Sequence, residues 1–122
     1  MRRAERSHSE LAGGWALQAV GRRALRIVLG DMDLTRDLGF VIGRHAAVCD
    51  RTIDDRTLSR RHCRFSARGG RLFVEDLNSL NGTRVGAEDI APFTPVPVPE
   101  NQAVTLGRLT FHVQRVGEGK AR

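Results

Sequence analysis

No apolar stretch in this sequence runs far before a turn signal cuts it, and that punctuation constrains the fold more than any other feature. Trp15-Ala16-Leu17-Gln18-Ala19-Val20 stops at Gly21-Arg22-Arg23, and Ala24-Leu25-Arg26-Ile27-Val28-Leu29 follows. Two short runs about a glycine-bearing turn read as a β-hairpin. A helix over residues 15–29 is the competitor, but Gly21 in its middle and the β-branched pair Ile27-Val28 count against it. Gly30-Asp31-Met32-Asp33 reads as a turn, and Gly39-Phe40-Val41-Ile42-Gly43-Arg44 as a strand ending in a glycine and a charge. Residues 45–58 read as irregular. Cys63–Ala67 and Leu72–Leu77 flank Gly69-Gly70, a favoured two-residue hairpin turn. Asn81-Gly82 marks another tight turn. Pro92, Pro95, Pro97 and Pro99 exclude a central strand and suit an extended edge or loop. Ala103–Leu106 and Leu109–Val116 form a last hairpin about Gly107-Arg108, and Leu109, Phe111 and Val113 share one face of its second strand. Many short strands without a convincing helix indicate an all-β sandwich or barrel. Trp15 reads as a core or rim anchor, and aliphatic residues fill most of the core.

The chain of 122 residues is long enough for one domain with a real core. Residues 13–116 are expected to form it, with polar tails at 1–12 and 117–122. Ser7 and Ser9 lie in the first tail and read as ordinary tail serines. No apolar run is long enough to span a bilayer, and the charged start at Met1-Arg2-Arg3 has no apolar stretch behind it, so neither a membrane span nor a secretory signal is expected. Cys49 and Cys63 do not make a disulfide framework, which points to a reducing, cytoplasmic setting. The net charge is +6, nearly all from arginine, since Lys120 is the only lysine. Residues 44–71 concentrate it, with eight arginines against three acids. Such a patch attracts polyanions in general and does not choose among them.

Polar groups stand where strands end. They are Gly43-Arg44, then Ser59-Arg60-Arg61-His62, then Asp76-Leu77-Asn78-Ser79-Leu80-Asn81-Gly82-Thr83. Loops that bring one Arg, one Ser and one Asn together could hold a phosphate and the peptide bearing it. A phosphothreonine carries about −1.5 to −2 charges and three strong acceptor oxygens. The planar fork of Arg44 can pair two of them, and Ser59 adds a short neutral donor. Asn81 both donates and accepts, as contact with a ligand backbone requires.

Other chemistries fit less well. Ser59 and His62 lack a placed acid, a nucleophile elbow and an oxyanion signature, so no enzymatic activity is expected. His45, Cys49, His62 and Cys63 match no zinc spacing, and no metal or cofactor is expected. The arginines are not interleaved with aromatics, so nucleic acid is not the expected ligand.

The ordered set Gly43-Arg44, Ser59 with His62, and Asp76-Leu77, Ser79 and Asn81-Gly82-Thr83 resembles the forkhead-associated (FHA) domain over nearly the whole chain. The resemblance implies an FHA-type β-sandwich of about eleven short strands with binding loops at one end. It implies recognition of phosphothreonine in preference to phosphoserine. Arg44 and Ser59 match its phosphate ligands, and Arg60 a position that contacts phosphate or peptide backbone. Asn81 matches the residue that grips the peptide main chain. Gly43, where the strand end turns, and His62, which braces the serine loop, match architectural positions; Ser79 and Gly82 support the site. Leu80 departs from a commoner threonine, so only its backbone N–H would serve the ligand. Glu100-Asn101 replaces a usual Gly-Asp at a turn away from the site. The expected role is a phosphothreonine-peptide adaptor, monomeric, acting downstream of a Ser/Thr protein kinase. The alternative is a scaffold of the same fold that binds a partner without phosphate.

Overall fold

The computed structural model describes residues 13–117; the expectations for the N-terminal tail and for residues 118–122 lie outside them. Eleven strands form two sheets. The first holds β1 (Gly14–Ala19), β2 (Arg26–Gly30), β7 (Thr83–Val85), β8 (Glu88–Asp89), β10 (Ala103–Leu106) and β11 (Leu109–Val116), in the order β2-β1-β11-β10-β7-β8. The second holds β3 (Phe40–Gly43), β4 (Arg51–Thr52), β5 (Cys63–Arg68), β6 (Arg71–Asp76) and β9 (Val96–Val98), in the order β4-β3-β5-β6-β9. Pairing is antiparallel except for the short β3–β4 contact.

Alternation sets the layers. Trp15, Leu17 and Ala19 of β1 face inward, opposite Arg115, Val113 and Phe111 of β11. Phe65 and Val74 face them from the second sheet, and Phe65, Val74, Phe111 and Val113 have no exposed surface. Aliphatic residues supply most of the rest of this core. Trp15 is buried at its rim, with the Arg115 guanidinium stacked 5.1 Å from the ring centre. The hairpin turn at Gly69-Gly70 has positive φ at both residues, the geometry in which two glycines match the strand twist. The proline-bearing β9 pairs only with β6 and closes the sheet as its edge, as the proline spacing requires.

Three local expectations are corrected. Residues Asp31–Leu34 form a single helical turn, α1, in place of the turn read at Gly30–Asp33, and Leu34 plugs into the core. Residues 45–58 are not uniformly irregular; they contain a 3₁₀ turn at Ala46–Val48 and the two-residue β4. Gly43 is not needed for a special backbone angle. A Cβ there would stand 2.2 Å from the Arg60 carbonyl oxygen, so its role is close approach of two loops. Among the described residues no helix is long and apolar enough to cross a membrane.

Phe111→Ala should cost about 3–5 kcal/mol, because the ring is fully buried between the sheets. Urea denaturation measures this, and a loss below about 1 kcal/mol would contradict the core described.

Candidate functional site

Three loops converge at the end of the sandwich where β3 and β6 finish and β5 and β7 begin. The β3–β4 loop starts at Arg44, the β4–β5 loop spans 53–62, and the β6–β7 loop spans 77–82. They are joined by backbone and side-chain hydrogen bonds.

The Arg60 carbonyl forms the first seam. It accepts from the backbone N–H of Arg44 at 3.1 Å and of His45 at 3.2 Å, and from the Cys49 thiol at 3.0 Å. The Arg44 N–H is shared with the Ser59 carbonyl at 3.0 Å. This holds the base of Arg44 against Ser59 and Arg60, with the Arg44 and Arg60 side chains exposed. Arg44, His45 and Arg60 line a shallow pocket between these loops. Among the described residues neither arginine has a carboxylate within ion-pair distance, whereas Arg36, Arg64, Arg84, Arg108 and Arg115 each do.

His62 forms the second seam. Its ring is wholly buried. Nδ1 accepts the Ser59 N–H at 3.1 Å, so that nitrogen carries no proton, and Nε2–H donates to the Gly82 carbonyl at 2.9 Å. The ring is therefore the neutral Nε2–H tautomer. Burial lowers its pKa from the usual 6.5, opposed by the bond to Gly82 and the charge of Asp76.

Asp76 organises the third loop from below. Its carboxylate accepts from the Ser79 hydroxyl at 2.6 Å, the Ser79 N–H at 3.0 Å and the Thr83 hydroxyl at 2.6 Å. The Ser79 oxygen in turn accepts the Gly82 N–H at 3.0 Å. Sequence position alone brings Ser79 and Gly82 near the site, and these bonds make them its frame.

The outward groups are Arg44, Ser59, Arg60, Leu80 and Asn81. The Ser59 oxygen accepts the Leu80 N–H at 2.9 Å, leaving its own hydrogen free to donate. The backbone role expected of Leu80 is thereby spent within the protein, and its side chain projects with 89% exposure. Asn81 Nδ2 donates to the Thr57 carbonyl at 2.8 Å, which leaves its side-chain oxygen and second amide hydrogen available.

A support that sequence reasoning missed sits behind Asn81. Asp55 accepts from the Thr57 N–H at 2.9 Å and hydroxyl at 2.6 Å, and the Thr57 oxygen accepts the Arg108 N–H at 3.1 Å. The Gly107 N–H donates to the Gly82 carbonyl at 3.0 Å. The β10–β11 turn therefore latches two of the three loops. The Asp-x-Thr spacing of Asp55 and Thr57 is the available signal, a side chain bonding the backbone two residues on. The Thr57 hydroxyl is the chief reason that the Asp55 carboxyl lies below the usual carboxylate range.

The remaining candidates are internal. Cys63 is buried and Cys49 is spent on the Arg60 carbonyl; burial pushes both thiols up. With both His62 nitrogens bound to backbone, His62 is not free to take a proton from Ser59 in this arrangement. Among the described residues no three His, Cys, Asp or Glu side chains are grouped to hold a metal ion.

The sequence matches the FHA domain family over residues 40–107. It is 34% identical over 73 residues to the Nuclear inhibitor of protein phosphatase 1 of Homo sapiens, covering 58% of this chain and 21% of that protein. It is 48% identical over 48 residues to the Glycogen accumulation regulator GarA of Mycolicibacterium smegmatis, covering 39% of this chain and 30% of that protein. The matched stretch is thus less than a third of either relative. Among solved structures, a chain from a structural and functional analysis of phosphothreonine-dependent FHA domain interactions superposes with a TM-score of 0.65 and 26% identity. That match covers 83% of this chain and 95% of the other.

The His62 geometry makes stability depend on pH. The folded protein keeps the ring neutral where the unfolded chain already binds a proton. Its contribution should be complete above about pH 6.5 and fall as pH drops below that value toward the lowered folded pKa. Urea midpoints between neutral and mildly acid pH should show this slope, and His62→Gln should flatten it. An unchanged slope would contradict the neutral-brace assignment. Asp55 loses its own contribution only at lower pH, as protons reach a carboxyl held below 3.8.

Proposed function

The chain belongs to the FHA domain family, and from that premise we propose that it is a phosphothreonine-peptide-binding module acting downstream of a Ser/Thr protein kinase. The observation that carries the reading is the pocket of Arg44, His45 and Arg60, whose two arginines lack carboxylate partners among the described residues, beside a Ser59 hydroxyl with a hydrogen to donate.

In this reading Arg44 pairs two phosphate oxygens, Ser59 takes the third through its hydroxyl, and Arg60 adds charge at the rim. Asn81 meets the peptide backbone with its side-chain oxygen and remaining amide hydrogen. Leu80 contributes its projecting side chain. Gly43, His62, Ser79 and Gly82 hold these groups in place. Each charge-assisted bond is worth roughly 1.5–3 kcal/mol where water is excluded. Two or three, less the ordering of the peptide, give an affinity around micromolar. The module binds and does not catalyse; its partner is a phosphorylated protein, not nucleic acid or a membrane, and its setting is the cytoplasm. The domain is residues 13–116. The similarity to GarA and to a structure from work on phosphothreonine-dependent interactions supports this reading.

Calorimetric titration with a phosphothreonine peptide library and its unphosphorylated counterpart tests it. Phosphorylated members should bind, and none should bind better without phosphate. Arg44→Ala should weaken binding by about 100-fold or more, the equivalent of two charge-assisted bonds. Asn81→Ala should weaken it less, with phosphate recognition retained. Affinity should fall as pH drops through about 6, where the phosphate takes up a proton. Partner binding that survives Arg44→Ala unchanged would instead favour a phosphate-independent scaffold.

A further inference from the structure

A groove adjoins the arginine pocket without being part of it. It runs beside the outer face of β3, with Leu38, Val41, Val48 and Cys49 forming its apolar part. Its volume is about 650 Å³ against about 230 Å³ for the arginine pocket. That is within the range of about 300–1,000 Å³ that ligand clefts occupy. Leu38 is 71% exposed and Val48 46%, so two large apolar side chains stand in water at its walls.

One seam makes both cavities. Arg44 and His45 face the pocket, and the next residues, Ala47, Val48 and Cys49, line the groove. Across from them Arg60 lines the pocket and its neighbour Arg61 the groove. The partition is the set of bonds from Arg44, His45 and Cys49 onto the Arg60 carbonyl. A chain leaving the pocket across this partition enters the groove.

The charges along the groove are ordered. Arg61 stands next to the pocket and has no carboxylate partner among the described residues. Asp50 is neutralised by Arg36 at 3.3 Å and accepts the Val41 N–H at 2.8 Å through its other oxygen. Asp37, before β3, lies at the other end and is likewise without a basic partner among the described residues. Along the four residues of β3, roughly 13 Å, a bound strand meets a cation, then an apolar trough, then an anion.

We propose that this groove seats about four residues of the phosphopeptide, on the flank that crosses the partition, with an acidic residue facing Arg61 and a large apolar residue between Leu38 and Val48. The inference rests on the phosphothreonine reading of the arginine pocket and adds a sequence preference to it. A second copy of this chain fits less well, because its net charge of +6 meets an arginine rim.

Fluorescence anisotropy with labelled peptides tests the inference. The probes are a core phosphothreonine peptide and the same peptide extended, on one side or the other, by a segment carrying Glu and Leu. One of the two extensions should bind about tenfold tighter than the core, the gain expected from burying one large apolar side chain. Leu38→Asp and Val48→Asp should each erase that gain and leave core-peptide affinity unchanged, which also shows that the fold and pocket are intact. Arg61→Glu should reverse the preference for Glu over Lys in the extension. Extensions that add nothing, or a gain that survives all three substitutions, would overturn the inference and leave the phosphothreonine reading standing. A core peptide that fails to bind the wild-type protein would overturn both. Self-association abolished by Leu38→Asp, with peptide affinity unaffected, would assign the groove to a second copy and overturn the proposal.

Discussion

His62 is the point on which the arrangement of the loops depends. Its ring accepts from Ser59 and donates to Gly82. Its backbone N–H donates to Ile42 of β3, and its carbonyl accepts from Leu77 just after β6. Four polar groups of one buried residue thus join β3, the β4–β5 loop and both ends of the β6–β7 loop. A buried imidazole costs free energy unless both nitrogens are paired, and here both are. No other side chain offers a rigid acceptor and donor at opposite edges of a small apolar ring. The interaction also fixes the tautomer, so the brace holds only while the ring is neutral.

From that knot outward, the backbone and buried polar groups are spent internally and the groups proposed to meet the ligand are left over. Arg60 gives its carbonyl to three donors and keeps its guanidinium free. Ser59 gives its N–H to His62 and its oxygen to Leu80, and keeps one hydroxyl hydrogen. Asn81 gives one amide hydrogen to Thr57. Such loops are ordered before a ligand arrives, and preorganisation lowers the entropic cost of binding. An isolated exposed arginine pairs weakly. In the proposed reading two arginines and a hydroxyl held around one dianion act together, and this is where the fixed frame matters.

The hairpins were legible because their signals are local. Gly69-Gly70 demands a two-residue turn, the alternation of Leu109, Phe111 and Val113 demands one buried face, and the prolines of 92–99 demand an edge. The candidate site was legible as a motif, and the structure places Arg44, Ser59, His62 and Asn81 on neighbouring loops. What escaped was short or nonlocal. β4 and β8 have two residues each and α1 has four, too few for any periodicity to show. The need for glycine at 43 comes from a carbonyl seventeen positions away in sequence, and the latch of Thr57 onto Arg108 spans 51 positions. Leu80 illustrates the reverse case. Its identity is plain in the sequence, but only the three-dimensional arrangement shows that its N–H is already committed to Ser59.

The central claim is that the loops at one end of the sandwich receive the phosphothreonine. Amide chemical-shift mapping during titration with a phosphothreonine peptide tests it most directly. The account predicts that the largest shifts fall on Arg44, His45, Ser59, Arg60, Leu80 and Asn81, with His62 responding through the loops that it joins. Shifts spread over the outer face of either sheet, with those loop amides unmoved, would contradict it.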